Sequence, residues 1–288
     1  MDSPWISLIA FVLILAATGL GALIRRRWPE HHSNRETIEL LQSTVLTLAT
    51  FAAIVLGLLI TSAKTDYDAI ENDIRSFSSS LVQLDYSLEQ LGPQGVPLRQ
   101  KLARYAAAGI AATWTDQEPP AGDYYPRLPQ VGQAAAVSSN APILGQMLEQ
   151  VDGALRALPI TTPADARAQE GCIRLMNIAV SERWRIVEAS QGNLSTPFFV
   201  MLVFWLMVIF LCFGLSAPFN HLSFMVTALS GLALASALFV IIDLYTPFTG
   251  IFTVSSLPPR QGLEQMLSLP DGTPPPWPAG CSPASQGC

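Results

Sequence analysis

Acid–base, nucleophilic or metal chemistry needs His, Cys, Asp or Glu brought together, and this chain offers few such groups. Its three histidines are His31, His32 and His221. His31 and His32 are neighbours, and adjacent side chains on a helix point about 100° apart, so the pair chelates poorly without other ligands. A polar loop in contact with water accounts for them. Of the four cysteines, Cys212 lies within an apolar run and Cys172 within a helical pattern. Cys281 and Cys288 close the chain in Gly-Cys-Ser-Pro-Ala-Ser-Gln-Gly-Cys. That pair is a candidate disulfide if the tail reaches an oxidising compartment, and two free thiols otherwise. The spacing suits no metal site. No phosphate-binding loop, dinucleotide fingerprint, His-Glu-x-x-His helix or Cys-x-x-Cys is present, so no catalytic residue, cofactor or metal is expected, and no enzyme. One acid stands out. Asp243 ends a long apolar run, where it can bond to hydroxyls or backbone N–H groups of the turn that follows, or hold an ion.

The elements that must position these groups are set by hydropathy. Half of the residues are hydrophobic and only 13% are charged, the composition of an integral membrane protein. Four windows of about 20 residues can cross a hydrocarbon core of roughly 30 Å: Trp5–Ile24, Leu40–Ala63, Pro197–Ala217 and Leu222–Asp243. The net charge of −6, with no basic run longer than Arg25–Arg27, argues against nucleic acid as a partner. Residues 1–24 are read as a retained anchor, because Asp2 precedes the apolar stretch and Arg25, Arg26 and Arg27 follow it. The triplet belongs on the cytoplasmic side. That orientation places residues 64–196 and the C-terminal tail in the periplasm of a bacterial inner membrane. The histidines then lie near the cytoplasmic face, opposite most of the acids.

The second span does not have to stop at the membrane. Tyr67, Ile70, Ile74, Phe77, Leu81, Leu84, Leu88 and Leu91 recur in alternating steps of three and four, the seam of a packed helix. No Pro or Gly interrupts the stretch from Leu58 to Leu91, so Thr37–Leu91 reads as one helix roughly 80 Å long. Gly92-Pro93 ends it. Further helices are expected at Pro97–Trp114, Pro142–Leu158 and Pro163–Gln191. The last is capped by Thr162 with Asp165 in its first turn, and Ile173, Met176, Val180, Trp184 and Val187 are expected to face inward. A short amphipathic helix capped by Ser255 or Ser256 should carry Leu263, Met266 and Leu267.

The fold class is therefore all-α: four transmembrane helices plus an extramembrane antiparallel helical bundle, with a long helix continuous from the second span. Its parts are a first transmembrane hairpin (1–63), the bundle (64–196), a second hairpin (197–244), a membrane-proximal turn and short helix (245–269) and a disordered Pro-rich tail (270–288). Within the spans, Ala49, Ala53, Gly57 and Thr61 recur every four residues, as do Thr227, Gly231 and Ala235. Small residues at this spacing let helices approach closely, within one subunit or between subunits. Ser43, Thr47 and Thr50 add a hydroxyl stripe that either lines a path or bonds to its own helix.

Three stretches resemble a family of bacterial membrane proteins called bestrophin-like, known as a domain of unknown function. They are Arg35-Glu36-Thr37 with Thr65 to Asn72, then Ser181-Glu182-Arg183-Trp184-Arg185-Ile186, and Asp243 to Gly250 with Pro259-Arg260. Where that family has an Asp-Leu-Asp-Arg-Pro-like turn, this chain has Tyr245-Thr246 in place of the charged pair. The resemblance covers the chain to about Leu269. The family name implies a likeness to bestrophins, oligomeric anion channels with four spans per subunit. It thus implies a homo-oligomer in the lipid bilayer with a small anion as cargo. Bestrophins keep their helical domain in the cytoplasm, whereas Arg25–Arg27 place this one outside. The alternative is a membrane-anchored helical sensor or scaffold binding a periplasmic partner.

Overall fold

A computed structural model describes residues 3–27, 35–128, 133–190, 196–216, 221–248 and 250–268. Among these residues there are eight α-helices and no strand: α1 (Ser3–Arg27), α2 (Arg35–Glu89), α3 (Val96–Thr113), α4 (Gln133–Arg156), α5 (Pro163–Ala189), α6 (Thr196–Ser216), α7 (His221–Leu244) and α8 (Leu257–Leu267). His31, His32, the turn before His221, Cys281, Cys288 and the Pro-rich tail lie outside the described residues. The four apolar windows fall on α1, α2, α6 and α7. Helix α2 is unbroken across 55 residues and supplies both compact units of the chain.

The first unit gathers α1, the start of α2, α6 and α7. Helix α1 packs on α6 and α7, and the core is Ile14, Leu202, Leu206, Phe210, Leu238 and Ile241, joined by Val45, Ala52, Leu59 and Ala63 from α2. Helices α1 and α6 approach closely, backbone to backbone, at two glycines. A Cβ on Gly21 would lie 2.2 Å from the Leu211 carbonyl oxygen, and one on Gly214 2.2 Å from that of Thr18. Neither glycine belongs to the small-residue rows that spacing alone picks out.

The second unit holds the rest of α2 with α3, α4, α5 and α8. Ile70, Ile74, Leu81, Leu84 and Leu88 of the α2 seam are buried, and Phe77 meets the Tyr105 ring edge-on at 6.4 Å. Gly92 takes a φ of +59° as the chain turns away from α2. Asp85 accepts two bonds from Arg99, at 2.9 and 2.8 Å, which ties α2 to α3. Burial pushes the Asp85 carboxyl up, against the opposing pull of the guanidinium. Arg185 pairs with Asp73 at 3.5 Å and joins α5 to α2. At the start of α5, Thr162 Oγ accepts from the Asp165 N–H while the Asp165 carboxylate accepts from the Thr162 N–H, a complete capping box. The hydroxyls of Thr161 and Thr162 hold the Asp165 carboxyl below its usual range.

Three expectations are corrected. Helix α4 starts at Gln133, so Pro142 lies inside it instead of opening it; the Ala-rich stretch ahead of the proline is helical too. On α5 the buried face is Cys172, Met176, Ala179, Arg183 and Val187 together with Gln169 and Glu182. Trp184 is 59% exposed and Ile173 and Val180 are half-buried, because the inward stripe runs through a charged residue that an apolar count passes over. At α8, Ser256 makes no side-chain cap; its hydroxyl donates to Gln117, and the Ser255 hydroxyl accepts from the Leu257 N–H at 3.2 Å.

Candidate functional site

The part of α2 within the first unit has one face inside the subunit and another outside it. Val45, Ala52, Leu59 and Ala63 are buried in the core. At about 100° per residue, Ser43, Thr50 and Thr61 fall roughly opposite Ala52, with Thr47, Ile54, Gly57 and Thr65 within about 40° of that line. All seven are exposed in the single chain. The apolar window of α2 is only 17% buried, against 28% for each of α1, α6 and α7.

The row predicted from spacing is thus divided. Ala49 is half-buried, whereas Ala53, Gly57 and Thr61 are exposed, and a Cβ on Gly57 would meet nothing within 4 Å. The row on α7 lies inward: Gly231 and Ala235 are buried and Thr227 is half-buried, with Ile14, Phe11 and Phe210 against Gly231.

The hydroxyls on the outer face are internally satisfied. Thr47 donates to the Ser43 carbonyl at 3.0 Å, Thr50 to that of Leu46 at 2.8 Å, and Thr61 to that of Gly57 at 2.9 Å. Thr65 donates to the Thr61 carbonyl at 2.9 Å. A hydroxyl bonded backward in this way tolerates an apolar surround. It also turns its oxygen, not its proton, toward whatever lies on this face. An anion there must draw a hydroxyl out of its helix bond, or be held by other groups.

The second candidate lies at the end of α7. Asp243 is 0% exposed, and its Oδ2 accepts the N–H groups of Ile251 at 3.0 Å and Phe252 at 2.8 Å. Gly250 has a φ of +109°, and a Cβ there would sit 2.1 Å from Asp243 Oδ1. Thr246, one of the two residues that replace the charged pair, donates its hydroxyl to the Asp243 carbonyl at 3.1 Å. Tyr245, the other, packs against the core of the first unit. The carboxylate here closes a turn, as a buried acid can when backbone N–H groups converge on it.

Among the described residues no group of three or more His, Cys, Asp or Glu is placed to hold a metal, and Cys172 and Cys212 are free thiols. Burial pushes the Cys172 thiol up, which disfavours the thiolate.

The sequence pattern of the Bestrophin-like domain matches residues 11–258. Among solved structures, a tryptophan-to-alanine variant of a bacterial bestrophin homolog from Klebsiella pneumoniae superposes with a TM-score of 0.61 at 13% identity, over 93% of this chain and 97% of that one. A leucine-to-threonine variant of the same homolog gives 0.59 at 13% identity, over 93% and 98%. At this identity the likeness is one of fold. Comparison with curated proteins found no match.

Proposed function

Because the chain belongs to the bestrophin-like family, we propose that several copies assemble in a bacterial inner membrane and pass small anions along the faces of α2 that point away from each subunit's own core. The uncovered outer face of α2 carries this reading. A helix surrounded by lipid would present large apolar side chains all round, whereas within about 40° of its outward line this face presents Ser43, Thr47, Thr50, Gly57, Thr61 and Thr65 with Ile54 as its one large apolar side chain, flanked by the exposed Leu46 and Leu58. Small residues allow close approach of a neighbouring copy, and a hydroxyl-lined seam between copies admits water. The reading predicts that cysteine placed at Gly57, in a chain otherwise free of cysteine, crosslinks copy to copy in native membranes at high yield. Cysteine at Gly231, buried within the subunit, should not. Equal yields at the two positions, or none at Gly57, would remove the basis for an α2-centred assembly.

The orientation proposed for the assembly places the helical unit in the periplasm, on the strength of Arg25–Arg27 at the end of α1. A reporter enzyme active only in the periplasm, inserted at the exposed Gly122 in the loop between α3 and α4, is expected to be active. Activity only of a cytoplasmic reporter at that position would reverse the topology.

A further inference from the structure

Inside the second unit a cavity of about 100 Å³, partly open to the surface, is lined by α2, α3, α4, α5 and α8. Its walls are apolar, with Phe77, Leu81, Ile110, Trp114, Leu144 and Met266 among them. One side chain breaks that character. Arg183 lines the cavity from α5 and is 6% exposed. Its guanidinium donates to the Ala141 carbonyl and lies 5.4 Å from the centre of the Trp184 ring, and the Tyr105 hydroxyl on the same cavity wall feels its charge. No carboxylate among the described residues pairs with it.

A guanidinium has five donors in a planar fork and keeps its charge at any physiological pH. Holding it away from water with a carbonyl and a phenol for company is costly unless an anion completes the set. The backbone leaves room for it: a Cβ on Gly145 would lie 3.3 Å from the guanidinium. Gly109, also on the cavity wall, has nothing within 4 Å of where its Cβ would be.

We propose that this cavity binds a free small monocarboxylate with an apolar body, its carboxylate held by Arg183 and Tyr105 and its body among the apolar walls. Cavities of this order, roughly 100 to 150 Å³, admit one benzene-sized group or a short alkyl chain and not a lipid tail. Burial pushes the Tyr105 hydroxyl up to about 12, so it remains a donor. The paired arrangement of one fork and one hydroxyl suits a carboxylate, which accepts at both oxygens.

The test is equilibrium dialysis of radiolabelled benzoate against the full chain in lipid nanodiscs. The expected result is one benzoate per chain, displaced by valerate, and displaced about tenfold or more weakly by neutral benzyl alcohol and by laurate. Arg183→Gln should lose the binding. Gly109→Leu fills the cavity from a helix position that prefers leucine to glycine, so it should lose the binding while keeping Arg183 and without lowering Tm. If Arg183→Gln does not fold, Gly109→Leu decides. No benzoate bound by the parent chain, undiminished binding in either folded variant, or equal displacement by laurate would overturn the proposal.

Discussion

Gly250→Ala is expected to cost about 4 kcal/mol of stability. A non-glycine residue at a φ of +109° carries a backbone strain of roughly 1–3 kcal/mol. The new Cβ would also occupy a point 2.1 Å from Asp243 Oδ1, so the carboxylate must leave the N–H groups of Ile251 and Phe252. Each buried polar group stranded by that move costs about 1–3 kcal/mol. Thermal unfolding in detergent should show Tm lower by about 10 °C. Asp243→Ala should lose part of this without the backbone strain. A Gly250→Ala protein within about 2 °C of the parent would mean the turn is not held this way.

The second large effect concerns α1 and α6. Gly214→Ala would bring a methyl group to 2.2 Å from the Thr18 carbonyl oxygen, and Gly21→Ala does the same at Leu211. The obstacle in both cases is backbone, which cannot rotate aside as a side chain can, so the helices must separate. Overpacking of this kind costs about 1–3 kcal/mol, and these contacts fall at the upper end. Because either alanine forces the same separation, the double variant should cost less than the two single losses added together. Thermal denaturation of the four proteins tests this; simple additivity would show that the two glycines act at independent contacts.

How much of the fold and of the sites is legible in the sequence depends on where each signal resides. Spans and helices are properties of consecutive residues. The α2 seam and the Thr162 cap could therefore be read directly, and both are present. The acid at the end of the fourth span was conspicuous for the same reason, since Asp243 interrupts an apolar run. Gly21 and Gly214 carry no such signal. They matter because two segments distant in sequence touch backbone to backbone, and neither lies in a row of small residues. Arg183 carries no such signal either: a charge four residues after Ala179 reads as an outer-face residue, and the neighbouring Trp184 is the stronger apolar candidate for the inward stripe. For the outer face of α2, the residues are legible in the sequence, but what covers them in the proposed assembly is not a property of one chain.

The central claim is that copies of this chain together pass anions. Purified full-length protein fused into a planar bilayer under a potassium chloride gradient measures this directly. The account predicts discrete currents whose reversal potential lies near the chloride equilibrium value, with an altered unit conductance when leucine replaces Thr50 on the outer face of α2. Currents reversing near the potassium value, or silence across voltage and pH from protein that is demonstrably oligomeric, would contradict it.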